Sequence, residues 1–262
     1  MQKIQKYNEI NIDKIICNDA EKKEFKDQEG KQVSYYSIPI FYNKGEVNED
    51  CLIRLPECTF FPMNEKSTDA VIVYNKKEPN YEVLKDFFDK VKRKCAEFLC
   101  ANKNKINKPA LKTVEKAYDA LKDLIYITLT SDGKPKGAGM TYLRLLSPSP
   151  YRNSTLFVGP DKKVYPKKRL LGYTIVGSPI IKLENIYCGQ SYSIRLKLIE
   201  LNIRTMNKLN SASIDPDYTV DDPDAVNNFL KELGEEEKPA DLDKVKNYLN
   251  SSEESDDEEI TI

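Results

Sequence analysis

Residues 179–203 read PIIKLENIYCGQSYSIRLKLIELNI. In the second half Tyr192, Ile194, Leu196 and Leu198 fall on one side of an extended chain, and Ser193, Arg195 and Lys197 on the other. A period of two over this length describes a strand with one face in a core and one cationic face. PIIKLENIY (179–187) is a second strand, set off from it by a glycine turn. Outward from this pair, YTIV (173–176), TLFV (155–158), TYLRLL (141–146) and LIYITLT (124–130) are further short strands between Gly and Pro breaks. VSYYSIPIFY (33–42), CLIRLPECTFF (51–61) and DAVIVY (69–74) continue the pattern toward the N-terminus as hairpins.

The period changes once. From a cap at Asn80, Val83, Leu84, Phe87, Phe88, Val91, Cys95, Phe98 and Leu99 recur at helical spacing, with Lys85, Lys92, Arg93 and Lys94 on the wet side. A second helix is expected to open at Pro109, capped by Asn107 or Lys108, and to bury Leu111, Val114, Tyr118 and Leu121. Short strands with two helices among them fit a β-barrel or sandwich with a helical insertion at about 80–123.

Charge divides the chain where strands stop. Residues 211–262 hold 17 acids against 4 lysines, a net of −13, and residues 1–210 carry +12. We expect one domain over 1–210 and a largely disordered acidic tail over 211–262, with transient helices at 222–233 and 241–249. A basic body with an acidic end points to a polyanionic partner.

The sequence has no histidine, which excludes Ser-His-Asp and Cys-His catalysis and every histidine-containing metal site. The six cysteines form no CxxC pair and read as reduced structural thiols, so neither metal nor cofactor is expected. GKPKGAG (133–139) lacks the Gly-Lys-Ser/Thr ending of a phosphate-binding loop and reads as a mobile turn. There is no apolar signal segment and no run long enough to span a bilayer, so an intracellular, soluble protein is expected. No catalytic residue is assigned, and an enzyme is not expected.

Bases and tyrosines interleave in three places. These are Tyr142, Arg144, Tyr151 and Arg152; Lys162, Lys163, Tyr165, Lys167, Lys168 and Arg169; and Tyr192, Arg195 and Lys197. Cations track phosphates while aromatic rings stack on splayed bases, so these residues are the candidate single-strand contacts. Each taken alone is more often solvated surface or half-buried packing; the clustering carries the signal. Ser251, Ser252 and Ser255 sit among acids and are candidate regulatory phosphorylation sites.

The run from TLFV through DKKVYP to RLLGYTIVGSPIIKLENIYCGQSYSIRLKLIELNI resembles the last strands of the single-stranded DNA-binding proteins of phages and large eukaryotic DNA viruses. Ser193, Ile194, Leu196 and Lys197 occupy their final Ser-hydrophobic-x-Leu-Lys pattern. The resemblance covers about fifty residues plus the tail. It implies a mainly β, OB-like barrel that binds single-stranded DNA in replication, recombination or repair. It also implies an acidic tail that competes with DNA and recruits replication or recombination proteins. A host cytoplasmic factory or nucleus would be the location, with homo-oligomerisation open. Two departures stand out: the chain ends Ile260-Thr261-Ile262 where phage relatives often close on an aromatic residue, and 80–123 has no counterpart in a minimal barrel. The alternative is a virion-associated interaction protein that uses the tail as a docking peptide.

Overall fold

The computed structural model describes residues 4–26, 32–75, 80–129, 135–147 and 154–208. It divides into two compact units, Met1–Lys23 with Tyr35–Ser213, and Glu24–Ser34 with Ile214–Ile262. Of the second, only 24–26 and 32–34 are described, as parts of two strands. The chain is mainly β. Its strands are β1 (Gln5–Lys6), β2 (Ile15–Cys17), β3 (Glu21–Lys26), β4 (Gln32–Asn43), β5 (Asn48–Arg54), β6 (Cys58–Phe60), β7 (Asp69–Val73), β8 (Tyr126–Leu129), β9 (Pro135–Leu145), β10 (Leu156–Val158), β11 (Tyr173–Cys188) and β12 (Tyr192–Lys208). Helices α1 (Tyr81–Ala101) and α2 (Val114–Ala120) lie between β7 and β8. No helix among the described residues is long and apolar enough to cross a membrane.

The hairpin of β11 and β12 is the spine. Its strands pair antiparallel from Tyr173↔Lys208 to Cys188↔Tyr192, and Gly189 N–H donates to Ser191 O at 3.1 Å across the turn. The two strands expected at 173–176 and 179–187 are one, because Gly177 lets the chain continue through a register shift. A Cβ there would overlap the backbone oxygen of Asn202. Along its other edge β11 pairs in turn with β4, β5 and β6. The single strand expected at 51–61 is therefore two, broken at Pro56, which has no N–H to give a ladder.

Pairing closes on itself through five strands: β11 with β6, β6 with β7, β7 with β9, β9 with β12, and β12 with β11. Only the β9–β12 contact is parallel. The inward side chains include Phe60, Ala70, Ile72, Leu143, Leu183 and Leu198, all buried. Buried Thr141 is satisfied on both sides, accepting from the Tyr74 hydroxyl at 3.0 Å and donating to Leu124 O at 2.6 Å. The alternation from 192 to 198 comes out as read, with Ile194, Leu196 and Leu198 buried.

Helix α1 buries Leu84, Phe87, Phe88, Val91, Cys95 and Leu99, whereas Val83 is exposed. Lys92, expected on the wet face, is buried: its ammonium pairs with Asp123 at 2.6 Å and sits 4.1 Å from the centre of the Tyr118 ring. A partner 31 residues away is invisible to helical periodicity. The second helix starts later than expected, at Val114, because Thr113 supplies the cap, its hydroxyl accepting from Lys116 N–H at 3.2 Å. Residues 135–139, expected in a mobile turn, belong to β9.

Candidate nucleic-acid interface

The outward parity of the closed circuit brings three bases into one row. On β12 Lys197 stands opposite Lys182 of β11 on one side and Arg144 of β9 on the other. Like charges facing across strands repel. Acids offset the repulsion here: Lys182 pairs with Asp50 at 2.7 Å, Lys197 pairs with Glu184, and Asp69 of β7 stands opposite Arg144. Among the described residues Lys182 and Lys197 each have a carboxylate partner and Arg144 has none.

Tyrosine pairs flank the row. At one end Tyr35 and Tyr187 lie with ring centres 5.0 Å apart, and the Arg195 guanidinium sits 4.7 Å from the centre of the Tyr187 ring. This cation–π contact aligns an exposed base beside an aromatic plane. On β9, Tyr142 is two residues before Arg144 and meets Tyr126 edge-on at 5.8 Å. Burial raises the Tyr142 hydroxyl pKa above its usual range, helped by Tyr126 and Asp69; burial and Asp123 do the same to Tyr126. Both rings are neutral at physiological pH, as tyrosines ordinarily are, and bring no charge repulsion toward a phosphate chain.

The other candidates lie elsewhere. Tyr192 has the inward parity, packs against the core, and has the Lys108 ammonium 5.5 Å from its ring centre. Its carbonyl accepts from Lys122 N–H at 2.9 Å. Tyr165, nominated for base stacking, is 7% exposed: its ring fills the space where Gly159 has no side chain, and the Arg169 guanidinium lies 3.7 Å from its centre. Lys167 donates to the carbonyls of Glu65 (3.0 Å) and Ser67 (2.6 Å), so it closes the loop leading into β7. Lys162, Lys163, Lys168 and Arg169 are exposed on this same turn. Lys162 is in the left-handed region at φ 63°, and Lys163 pairs loosely with Asp161 at 4.0 Å. Tyr151, Arg152, Ser251, Ser252 and Ser255 lie outside the described residues.

The face thus unites Tyr142, Arg144, Arg195 and Lys197 from the expected set and adds Tyr35, Tyr126, Lys182 and Tyr187. Lys182 and Tyr187 were within reach of the sequence, since a turn at Gly189 puts residue 187 opposite 193 and residue 182 near 197. Tyr35 and Tyr126 depend on long-range pairing that no local pattern specifies. Among the described residues no group of three or more His, Cys, Asp or Glu is arranged to hold a metal ion. Comparison with protein-family models, with curated proteins and with solved structures finds no match.

Proposed function

We propose that this chain is a nonenzymatic single-stranded DNA-binding protein of viral-type replication, recombination or repair, built on an OB-type barrel. The observation that carries the reading is the row Lys182, Lys197 and Arg144, flanked by the Tyr35–Tyr187 and Tyr126–Tyr142 pairs. Cations at strand spacing follow a phosphate backbone, and rings beside them offer π-faces to any unstacked base.

The connectivity supports the barrel. Counting the closed circuit in chain order as β6, β7, β9, β11 and β12, the neighbours run first, second, third, fifth, fourth and back to first, with the third–fifth contact parallel. OB folds take oligonucleotides on the face of the second and third strands and on the loops joining first to second and fourth to fifth. Here that face carries Tyr142 and Arg144, and the two loops are the one closed by Lys167 and the turn at Gly189. The acidic residues 211–262 would compete with DNA for these bases and recruit partner proteins.

The test is a salt series of binding isotherms with a labelled single strand. If the row contacts phosphates, Lys182→Gln, Lys197→Gln and Arg144→Gln together should flatten the log–log salt dependence by roughly 2, at about 0.7 per contact. An unchanged slope in a folded variant would move the binding face elsewhere.

A further inference from the structure

The helical insertion carries a lysine-rich loop, and the structure docks it on the end of the tyrosine platform. Between residues 102 and 114 the chain holds Lys103, Lys105, Lys108 and Lys112 and no acid. Buried Ile106 and Leu111 pin this segment to the core, and Lys108 N–H closes it on Lys103 O at 2.8 Å. Asn107 takes the left-handed φ of 53° at the bend. The loop is a fixed part of the fold, which lowers the entropy lost when a ligand orders its lysines.

Its position is set by one glycine. The Lys108 ammonium donates to Gly189 O at 3.0 Å, and a Cβ on Gly189 would overlap the Tyr187 hydroxyl. Gly189 therefore touches both the outermost ring of the sheet face and the lysine loop. A chain leaving the Tyr187 ring in this direction meets the Lys108 ammonium, and with it the loop that carries the other three lysines.

Two of those cations are more available than the two lysines of the row. Lys182 and Lys197 are each engaged by a carboxylate, which a phosphate would have to displace. Lys112 is exposed, and the Lys105 contact with Asp19 is loose at 3.6 Å, with the two side chains 70% and 96% exposed. An exposed pair of this kind holds its partners weakly.

We propose that the loop over residues 103–112 is a second phosphate-binding rim, which continues the single-strand path past the β11–β12 turn. This rests on the proposed function: the sheet face supplies the rings and a row of partly neutralised bases, and the insertion supplies further, weakly held positive charge. The ligand is the phosphodiester chain of a single strand longer than the sheet face alone can hold.

The experiment titrates the full chain with thymidine oligonucleotides from about 4 to about 16 nucleotides, the range of site sizes for such folds. It compares wild type, Lys105→Gln/Lys112→Gln, and the sheet-face variant Lys182→Gln/Lys197→Gln/Arg144→Gln. Neither Lys105 nor Lys112 packs in the core, and a melting curve verifies that the fold is intact. The expected result is wild-type affinity of the loop variant for the shortest oligonucleotide and about a tenfold loss for the longest. Its salt slope should flatten only for the longer strands. Full affinity of the loop variant at every length, with the sheet-face variant weakened, would overturn the rim and leave the binding face standing. An equal loss at all lengths would also overturn it, since the loop would then belong to the primary site. If neither variant changes binding, the face itself is wrong and the rim falls with it.

Discussion

Tyr187 and Tyr165 show how differently two tyrosines beside bases can be used. The Tyr187 ring lies on the sheet face between Tyr35 and Arg195 and is only partly buried. Tyr187→Ala should weaken single-strand binding by about 1–3 kcal/mol, the range for a stacked base, with little change in salt slope. A fall in melting temperature with no loss of affinity would mean that the ring is packing alone. Tyr165 also has a base against it, yet its ring is lodged in the space left by Gly159. Tyr165→Ala and Gly159→Ala should each lower the melting temperature while leaving the affinity of the folded protein unchanged, because one empties the site and the other overfills it. Composition cannot separate these cases. What separates them is burial: Tyr187 lies on the outward face of a strand, whereas Tyr165 folds back over Gly159, six residues before it, inside a turn.

At the scale of elements, the β11–β12 hairpin was legible because alternation, a glycine turn and β-branched residues agree over 25 residues. The same signals failed where pairing, not pattern, decides. β1, β2 and β3 gave no periodic signal; β1 is held by β5 and β2 by β4, neither its next strand in the chain, while β3 pairs with β4, which follows it. Lys92 looked like helix surface because Asp123 and Tyr118 come from beyond the helix. The cationic half of the site was half visible: Arg195 and Lys197 follow from alternation, but the row with Arg144 needs the parallel β9–β12 contact. Gly177→Ala tests the spine. The added methyl meets Asn202 O, so β11 and β12 must part at the register shift, and the melting temperature should fall by several degrees. An unchanged melt would show that the two strands can separate there at no cost.

For the molecule as a whole, two buried thiols and one hydrogen-bonded tyrosine with raised pKa make stability sensitive to alkaline pH. Burial pushes the thiols of Cys51 and Cys188 up to about 12, and the hydrogen bond to Asp89, followed by burial, raises the Tyr118 hydroxyl to about 12. Each folded value lies above the unfolded one, so the native state holds these protons longer. The stability they contribute is complete below about pH 9 and is lost as pH rises through 12. Thermal melts should be flat from pH 7 to 8.5 and fall steeply beyond about pH 9; Cys51→Ala with Cys188→Ala should soften that fall even if it lowers the plateau.

Charge sets a second property of the whole chain, since a segment at −13 follows a body at +12. Removing residues 211–262 should tighten single-strand binding, most at low salt, because screening at physiological strength limits the reach of such charges to about 8 Å. Looser binding at every salt concentration would show that the segment supports the body and does not compete with DNA.

If rings and bases on the sheet face select unpaired strands, as proposed, a direct competition measures it. A labelled single-stranded oligonucleotide is bound at moderate salt and displaced by the same sequence, unlabelled, as a single strand or as a duplex. Stacking requires bases already exposed, so the single strand should compete at least about tenfold better, and Tyr187→Ala with Tyr142→Ala should erase most of that preference. Equal competition by single strand and duplex would contradict the account and leave a basic surface with no selectivity for unpaired bases.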